Sequence, residues 1–473
     1  MLGITVKKSV DMPEWYGQVV TKSELADYAP IKGCMVIRPY GYEIWEKLVA
    51  YFNMVLKSHN VRNAYFPIFI PESFFKKEEA HAEGFKAEVA WVQNHDESQE
   101  RLALRPTSET IIYDSYSKWI RSWRDLPLKI NQWCNIIRWE VSDVKLFLRS
   151  REFLWQEGHC AYGSEMECDK ETLTYLNEYK KLCEDLLALP VLAGKKSDKE
   201  KFAGAKYTLT IEAFMPDGKA LQCATSHNLG QDFARAFGIS YLGRDGNKYL
   251  PWQSSWGFST RLIGAMVMTH SDDRGLILPP AIAPIQIIIV PIFQSENKKD
   301  IMESAEEVKS LLRSHSVQID SREGYTPGWK YNEWELRGVP LRIEIGPRDI
   351  EKRQVVLVRR DNGKKSFIGL DSLKDDSKRI LEDIQKSIYE KAKKFLEDSI
   401  NTAEDWDDFK RIVSQKKIAR ADFCGMVECE DAIRVETQGA GSRCIPFEQT
   451  NDIGKCIYCE KQGRFTAYFS RSY

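Results

Sequence analysis

The sequence lacks any long hydrophobic run. No stretch of 18 apolar residues occurs within its 473 residues, and a membrane-spanning helix requires about that many. The N-terminal segment, which begins Met-Leu-Gly-Ile-Thr-Val-Lys-Lys, has no apolar core of the kind that marks a secretory signal. We therefore predict a protein with no membrane partner, located in the cytoplasm.

An excess of charge of either sign is also missing. The 68 Lys and Arg residues nearly balance the 69 Asp and Glu residues. A global positive field is thereby excluded, so any contact with nucleic acid must depend on local basic patches. Hydrophobic residues are plentiful at 43%, and a chain of this length and composition is expected to form several domains with substantial cores.

Residues 138–159 form the most informative stretch, which ends in Arg-Glu-Phe-Leu-Trp-Gln-Glu-Gly-His. Aromatic and β-branched residues on either side of a polar middle predict two strands joined by a loop around residues 141–145. Alternation places Arg138 and Glu140 on one face of the first strand. On the second strand, it aligns Arg149, Arg151, Phe153, Trp155, Glu157 and His159. Solvated charge on an edge hairpin is one interpretation, but guanidinium groups beside aromatic rings suit a stacked base and its phosphates.

These residues resemble motif 2 of the class II aminoacyl-tRNA synthetases, and their wording is similar to that of the prolyl-tRNA synthetases. The resemblance implies that Arg138 holds the α-phosphate of ATP, that Glu140 meets the adenine and that Phe153 stacks on it. The other residues that the resemblance assigns here are Arg149 and Ser150 near ATP, and Glu157 and His159 near the amino acid.

A second motif lies upstream, where a short strand is stopped by Pro39 and followed by an apolar helical stripe. Taken alone, this pattern is typical of any buried helix. Beside the hairpin it resembles motif 1, which builds the dimer interface in the family. The resemblance therefore implies a homodimer that forms through residues 39–56.

The segment Arg-Pro-Thr-Ser-Glu-Thr, residues 105–110, opens a predicted helix. Thr107 and Glu109 fit an N-cap and a first-turn acid. The resemblance instead implies that Thr107, Ser108 and Glu109 bind proline, whose secondary ammonium needs a carboxylate and an oxygen acceptor. Upstream, one strand is predicted over residues 61–70, and His81 beyond it is interpreted as a surface helix residue rather than a pocket residue. Downstream of the hairpin, the apolar residues of 169–189 predict one helix.

Two further strands, residues 207–214 and 221–226, flank a Met-Pro-Asp-Gly-Lys turn and predict an antiparallel sheet. Gln222, Thr225 and His227 carry over from the family's Gln-x-x-Thr-x-His pattern, which contacts ATP and proline. Strict alternation would put Gln222 on the opposite face from the other two, so we predict a bulge near Ala224.

Residues 254–266 resemble motif 3, a strand that runs into a helix, with Arg261 as the γ-phosphate arginine and Ser259 nearby. Only about 60 residues separate His159 from Gln222, which is too few for another sizeable domain. The editing insertion typical of bacterial prolyl-tRNA synthetases is therefore predicted to be absent, as in the archaeal and eukaryotic type.

A proline-rich boundary at residues 278–284 precedes alternating strand and helix patterns, which predict an α/β domain with a largely parallel core. Residues 328–349 resemble the family's anticodon-binding domain. Guanine edges are read well by Arg and Glu, so Glu335, Arg342 and Arg348 are candidate anticodon readers. Ordinary surface charge is the alternative interpretation for each.

The last 50 residues carry Cys424, Cys429, Cys456 and Cys459, spaced C-x4-C and, after 26 intervening residues, C-x2-C. Two such pairs can form a four-thiolate zinc site. Disulfides and free buried thiols are the alternatives. The resemblance implies a small C-terminal domain with this structural zinc site, in which Cys444 is a bystander. It also implies that the chain end, Arg-Ser-Tyr, reaches towards the catalytic domain.

Three domains are expected: an α+β catalytic domain with a helix-flanked antiparallel sheet (1–280), an α/β anticodon-binding domain (281–400) and an α+β zinc-binding domain (401–473). The implied reaction activates L-proline with ATP to prolyl-adenylate, releasing pyrophosphate, and transfers the prolyl group to the 3′ end of tRNA(Pro). Arg138 and Arg261, with the Mg²⁺ that accompanies ATP, would stabilise the developing charge.

Two alternatives remain. A threonyl-type or other class II synthetase is less compatible with the sequence, because the catalytic half shows no zinc-ligating Cys/His set. An inactive relative that only binds tRNA or a regulator is less compatible with the intact set of motif residues.

Overall fold

The computed structural model describes residues 3–79, 88–93, 98–449 and 452–473. His81 lies outside these ranges. The described residues form three domains, each around its own cluster of buried apolar side chains. We refer to them by the roles that the sequence predicts for them: catalytic, anticodon-binding and C-terminal. No helix in the described ranges combines the length and apolar character needed to cross a membrane.

The catalytic domain consists of an antiparallel sheet with helices on both faces. Its helices are α1 (Met12–Lys22), α2 (Pro39–Ser58), α3 (Glu72–Glu79), α4 (Glu109–Trp119), α5 (Glu165–Lys181), α6 (Asp232–Ala236) and α7 (Arg261–His270). Its strands are β1 (Ala26–Tyr28), β2 (Met35–Ile37), β3 (Arg62–Asn63), β4 (Phe69–Pro71), β5 (Leu102–Leu104), β6 (Leu128–Ile137), β7 (Glu152–Tyr162), β8 (Leu192–Lys195), β9 (Tyr207–Phe214), β10 (Lys219–Gly230), β11 (Tyr241–Leu242), β12 (Lys248–Tyr249) and β13 (Trp252–Ser259).

The two faces of the sheet are distinguished by alternate residues of β7. His159 meets α4, because Tyr116 of that helix donates to its carbonyl oxygen at 2.8 Å. Tyr162, three residues on, belongs with Tyr175 of α5 to the core on the opposite face. The central order is β8-β9-β10-β13-β7-β6, all antiparallel, with β3 parallel to β6 at the edge. The α4 face is therefore the face on which the predicted site residues of β7 lie.

The central hairpin has a longer connection than predicted. β6 ends at Ile137 and β7 begins at Glu152, so Arg138, Glu140 and Arg149 stand in the loop rather than on strands. The reason is that the backbone amide of Arg151 donates to the carbonyl oxygen of Gly33 at 2.7 Å, a partner outside the hairpin. The side chain of Arg151 also leaves the predicted row, because its Nε donates to the Val141 carbonyl oxygen at 2.9 Å.

Two other element predictions need correction. The single strand predicted over residues 61–70 is instead the two short strands β3 and β4, since Pro67 between them has no amide hydrogen for a ladder. The helix predicted over residues 169–189 begins earlier, at Glu165, because the Ser164 side chain accepts from the Glu167 amide as an N-cap. It ends in a π-helical turn, Leu182–Leu186.

The anticodon-binding domain is a five-stranded mixed sheet of order β15-β14-β16-β17-β18. Its elements are β14 (Ile287–Pro291), α8 (Lys298–Leu311), β15 (Val317–Ile319), α9 (Pro327–Leu336), β16 (Leu341–Ile345), α10 (Pro347–Glu351), β17 (Gln354–Arg359), β18 (Lys365–Gly369) and α11 (Leu373–Ser399). The first three strands in space are parallel, and the β17–β18 hairpin is antiparallel.

The C-terminal domain extends the catalytic sheet. Its elements are β19 (Ile400–Thr402), α12 (Trp406–Ser414), β20 (Ile418–Phe423), α13 (Val427–Glu436), β21 (Gly441–Pro446) and β22 (Phe465–Ser472). β21 pairs with β8, so eleven strands form one continuous sheet. β22 also pairs with β10, where Lys219 and Ala220 face Arg471 and Ser472. The end of the chain is thereby fixed to the catalytic domain.

Gly158 in β7 provides a test of this packing. A Cβ atom there would lie 2.2 Å from the ring of Trp256, which is buried and stacked on Tyr175 at a centroid distance of 3.9 Å. We expect Gly158→Ala to lower the free energy of unfolding by about 1–3 kcal/mol through overpacking. Thermal unfolding followed by calorimetry measures the loss. The control is Gly163→Ala, where the nearest atom lies at 3.8 Å; equal stability of the two variants would contradict the prediction.

Candidate active site

A cavity of about 520 Å³ opens on the α4 face of the catalytic sheet. Its walls are formed by the start of α4, the β6–β7 connection, the central strands β7, β10 and β13, and the start of α7. The predicted site residues that line it are Thr107, Glu109, Arg138, Glu140, Arg149, Ser150, Phe153, Glu157, His159, Gln222, Thr225, His227, Ser259 and Arg261. The fold thus gathers residues from widely separated motifs into one chamber.

Ser108 is the one predicted residue of this set that lies behind the wall. It is fully buried, and its hydroxyl donates to Glu157 Oε1 at 2.5 Å. Gln132 donates to the same oxygen at 2.9 Å. Ser108 therefore supports the pocket floor through Glu157, whereas its neighbours Thr107 and Glu109 are joined by a hydrogen bond at the cavity wall.

Glu157 and His159 form a buried ion pair at the floor, with His159 Nε2 3.0 Å from Glu157 Oε2. Burial opposes charge on the imidazole, but the hydrogen bond and charge of Glu157, together with the charge of Glu109, raise the pKa of His159 above its ordinary value. Burial likewise opposes the Glu157 carboxylate, yet its hydrogen bonds and the imidazolium hold the pKa of Glu157 below its usual range. This end of the cavity therefore carries fixed, opposed charges.

His227 behaves differently. Burial, and then the charge of His159, lower the pKa of His227 to about 3, so it is neutral at physiological pH. Its ring nitrogens lie 2.9 Å from the Thr208 hydroxyl and 3.0 Å from the Thr225 hydroxyl. A neutral imidazole held by two hydroxyl groups is a hydrogen-bonding wall rather than a charged one.

The predicted bulge in β10 is confirmed. The register against β9 shifts between Gln222, which faces Glu212, and Ala224, which faces Ile211. Cys223 is the extra residue. Because of this insertion, Gln222, Thr225 and His227 all line the cavity.

The opposite end of the cavity is cationic. Arg261 begins α7, and its guanidinium donates to the carbonyl oxygens of Leu148 at 3.2 Å and Gln222 at 3.4 Å. Burial and the nearby positive charges of Arg138 and Arg149 lower the pKa of Arg261. Arg138 Nε is buried and has no hydrogen-bond partner among the described residues. Such an orphaned donor beside a second guanidinium is suited to an anionic ligand such as phosphate.

Several cavity residues were missed by sequence reasoning. They are Val141, Phe147, Leu148, Trp155, Glu200, Phe202, Thr208, Cys223, Ala224, Ser255, Trp256, Gly257, Phe258 and Tyr473. Tyr473 arrives from the far end of the chain, where its amide donates to the Ala220 carbonyl oxygen at 3.2 Å and its hydroxyl donates to Asp217 at 2.7 Å. The wording of the chain end did indicate an approach to the catalytic domain; for most of the others, no local pattern signals the contact.

In the anticodon-binding domain the structure unites two of the three predicted readers. Arg342 on β16 donates to Glu335 Oε1 at 3.0 Å and to Glu344 Oε1 at 2.9 Å, and it covers the ring of Tyr331 at 4.1 Å. Arg348 is exposed at the start of α10, just past the end of the same strand. Carboxylates thus hold one guanidinium in place beside an aromatic ring.

The four cysteines predicted as metal ligands also come together. The sulfur atoms of Cys424, Cys429, Cys456 and Cys459 all lie within 4.8 Å of one another. The Cys424 and Cys459 sulfurs are 3.8 Å apart, and a tetrahedral zinc with Zn–S bonds of about 2.3 Å separates its ligands by about 3.8 Å. Cys444 lies apart on β21, against Gly194 of β8. The donor set fits a zinc ion.

Family models match all three parts of the chain. The class II tRNA synthetase core domain (G, H, P, S and T) matches residues 85–270, an anticodon binding domain matches residues 286–379, and the C-terminal domain of prolyl-tRNA synthetase matches residues 406–473. These matches come in the order in which the three kinds of domain follow one another along the chain.

Relatives match over nearly the full length. Proline–tRNA ligase 2 of Clostridioides difficile is 48% identical over 99% of this chain and 97% of its own length, and proline–tRNA ligase of Natranaerobius thermophilus is 49% identical over 98% and 97%. Crystal structures of Cryptosporidium parvum prolyl-tRNA synthetase, one with halofuginone and AMPPNP and one with L-proline and AMP, superpose with a TM-score of 0.95 at 46% and 45% identity, each over 100% of this chain and 97% of that one. The chain belongs to the prolyl-tRNA synthetases, a family of class II aminoacyl-tRNA synthetases.

Proposed function

We propose that this protein activates L-proline with ATP, releases pyrophosphate, and transfers the prolyl group from the adenylate to the 3′ end of tRNA(Pro). One observation carries the proposal: a single cavity joins a carboxylate-lined end at Glu109 to a cationic end at Arg138 and Arg261. The first end suits a secondary ammonium and the second suits a triphosphate, so one chamber accommodates both reactants.

At the proline end, the Glu109 carboxylate and the Thr107 hydroxyl accept hydrogen bonds from the ammonium group. The Glu157–His159 pair holds the floor at fixed charge, and His227 adds a neutral hydrogen-bonding wall. Because these groups are already hydrogen-bonded to one another before substrate enters, little reorganisation is needed when proline binds.

At the ATP end, Arg138 meets the α-phosphate and Arg261 the γ-phosphate. The reaction is an in-line attack of the proline carboxylate oxygen on the α-phosphorus, which forms the adenylate and expels pyrophosphate. Preformed guanidinium groups stabilise the charge on the phosphorus oxygens without a protein nucleophile. Magnesium enters with ATP as part of that substrate.

The adenine lies against the cavity wall that carries Phe153, with Glu140 at its rim. Phe153 is half-buried, and its ring meets that of Trp155 edge to face at 6.1 Å, which leaves a ring face for stacking. Arg149, Ser150, Gln222, Thr225 and Ser259 complete the ATP site. The aromatic edge holds the base in register with the arginines that hold the phosphates.

The tRNA contacts two parts of the chain, its 3′ end in the cavity and its anticodon in residues 281–400, where Glu335, Arg342 and Arg348 read guanine edges. On either side of that domain, the catalytic domain is proposed to span residues 1–280 and the zinc domain residues 401–473. A cytoplasmic location is supported by the eleven cysteines, all of which lie in the described ranges and none of which forms a disulfide.

Loss of the Glu109 carboxylate tests this function. We expect wild-type protein to catalyse proline-dependent exchange of pyrophosphate into ATP, and Glu109→Ala to raise the Michaelis constant for proline, since a charge-assisted contact of this kind contributes about 2–4 kcal/mol. The Michaelis constant for ATP serves as the internal control. An unchanged Michaelis constant for proline in Glu109→Ala would contradict the assignment of Glu109. Exchange that depends on another amino acid instead of proline would refute the proposed function.

The homodimer is proposed through the motif 1 region. The apolar stripe of α2 is buried within its own domain, for instance Ile44, Leu48 and Phe52, so it is not itself the free surface. Exposed apolar side chains in this region include Val36 on β2, which is 50% exposed, and Tyr42 and Met54 on α2. They supply the surface that a twofold partner would cover.

We expect light scattering to give about twice the chain mass of 54.7 kDa. A charge at a twofold contact is felt twice, so Val36→Glu should shift the mass to that of one chain. The control is Val435→Glu, at a position on α13 that is 76% exposed. A monomer mass for the wild-type protein at micromolar concentration contradicts the proposal.

The four-cysteine cluster is proposed to hold structural zinc. Four thiolates leave no open position for a reacting water, and the cluster belongs to the core of the C-terminal domain. The zinc would stabilise the domain that carries β22 and Tyr473 to the cavity. Its role at the active site is therefore indirect.

We expect elemental analysis of protein purified without chelators to find about one zinc per chain. Cys456→Ser removes one of four ligands and should lower both the zinc content and the unfolding temperature. Cys444→Ser, which alters a thiol outside the cluster, should keep the zinc. Wild-type protein with well under one zinc per chain would overturn the site.

A further inference from the structure

Two arginine side chains converge on one tryptophan beyond the C-terminal end of α4. The guanidinium carbon of Arg124 lies 4.6 Å from the ring centroid of Trp123, and that of Arg244 lies 4.1 Å from the same centroid. The two guanidinium carbons are therefore at most about 8.7 Å apart. Two exposed like charges at such a separation repel each other weakly, and together they offer an anion two adjacent guanidinium groups.

No carboxylate in the described ranges supplies that anion. Among the described residues, neither Arg124 nor Arg244 forms an ion pair within 4.0 Å. The nearest acid in sequence is Asp125. Its carboxylate instead accepts hydrogen bonds from the backbone amides of Arg121 at 2.9 Å and Ser122 at 2.8 Å. Asp245, beside Arg244, accepts instead from Asn247 and Tyr249, each at 2.7 Å.

Another arginine that covers aromatic rings, Arg322, has carboxylate partners. Arg322 covers the rings of Tyr325 and Trp329, each at 5.3 Å, and there the guanidinium is paired with Asp320 at 2.8 Å and with Glu333. The contrast shows that an arginine stacked on aromatic rings is neutralised by the chain itself at one surface. At Trp123, no carboxylate of the described residues pairs with either arginine.

The surface around Trp123 is held in a defined shape. A short helical turn, Trp123–Asp125, is closed by a capping box with Ser122, and the Arg121 carbonyl oxygen accepts from the Leu242 amide at 2.9 Å. The second contact ties the turn to the β11–β12 hairpin that carries Arg244. We call Arg121, Trp123, Arg124 and Arg244 the Trp123 patch; its three arginines are exposed and Trp123 is half-buried.

The Trp123 patch lies on the cavity's side of the sheet. Helix α4 begins at Glu109, in the cavity wall, and ends at Trp119. Eleven helical residues span about 16 Å at 1.5 Å each. Trp119, itself 46% exposed, adds a second aromatic surface beside the patch. If the 3′ end of an RNA enters the cavity, the duplex next to that end lies over the surrounding surface, at distances from the cavity comparable to the length of α4.

We propose that the Trp123 patch binds the phosphodiester backbone of the tRNA acceptor arm. The inference rests on the proposed function, because it takes tRNA as the substrate whose 3′ end occupies the cavity. Guanidinium groups bind phosphate oxygens in a bidentate manner and are weakly hydrated, and stacking on Trp123 fixes the planes of both. The contact is to the backbone, so it adds affinity and orientation without reading sequence.

The test uses the full-length protein and the double variant Arg124→Gln/Arg244→Gln. We expect the Michaelis constant for tRNA in aminoacylation to rise about tenfold, and the slope of log affinity against log salt to fall by about two, since each lost phosphate contact removes about 0.9. Proline-dependent pyrophosphate exchange without tRNA should be unchanged. Arg124→Lys/Arg244→Lys, which keeps the charges, should lose less.

The matched control is Lys181→Ala on α5, an exposed cation on the opposite face of the sheet that is paired with Glu178 at 2.9 Å; its tRNA kinetics should equal those of wild type. Unchanged tRNA affinity and salt slope in the glutamine variant would overturn the inference and point to a different polyanion. Loss of exchange in the wild-type protein would instead refute the proposed function. If the glutamine variant alone loses exchange through misfolding, the tRNA affinity of the lysine variant and of each single variant decides.

Discussion

The active cavity depends on one extra residue in an otherwise regular antiparallel sheet. β10 pairs with β9 and β13 along its length, and the insertion of Cys223 shifts its register against β9 between Gln222 and Ala224. In a regular strand, Gln222 would face α5 while Thr225 and His227 faced the cavity. The bulge brings all three to one chamber. Because both faces of this sheet are covered, the register is fixed by burial on either side and the irregularity cannot slip along the strand.

The second constraint is electrostatic. The cavity carries the Glu109 carboxylate and the Glu157–His159 pair at one end and the arginines at the other. The charges of the Glu157–His159 pair are satisfied by groups that the fold itself provides. Glu157 receives hydrogen bonds from Ser108, Gln132 and His159. In a low-dielectric interior such a network is strong when complete and costly when broken. Arg138 shows the converse, because its buried Nε has no hydrogen-bond partner in the described chain. The Glu157 end of the cavity is therefore a completed network, whereas the Arg138 end has an unpaired donor.

The C-terminal domain is part of the catalytic structure rather than an appendage. A buried ion pair joins Lys196 to Glu212 at 2.6 Å, and the same ammonium donates to the Arg443 carbonyl oxygen at 3.0 Å. The ion pair lies within the catalytic domain, and its hydrogen bond to Arg443 crosses to the C-terminal domain. Separating the two domains would leave the Arg443 carbonyl oxygen without this donor and expose a buried pair, so the junction resists separation. Together with the pairing of β22 to β10, it explains how a domain built around four cysteines carries Tyr473 into a cavity formed by the rest of the chain.

Local sequence determined much of this protein by itself. Hydrophobic periodicity and turn residues predicted many of the elements, and cysteine spacing indicated the four-cysteine cluster, because these signals depend on residues close together in the chain. The order of the domain types came from the resemblance of the motifs to a known family. The bulge in β10 was also within reach, since Gln222, Thr225 and His227 had to share a face. What only the tertiary structure decided involves long-range partners. These are the Gly33 carbonyl that lengthens the central loop, the position of Ser108 behind Glu157, the convergence of Arg124 and Arg244 on Trp123, and the position of Tyr473 in the cavity wall. Contacts between residues that are 49 to 256 positions apart leave no periodic signal, because the side chains that make them are selected by packing in space rather than by the local period of a helix or strand.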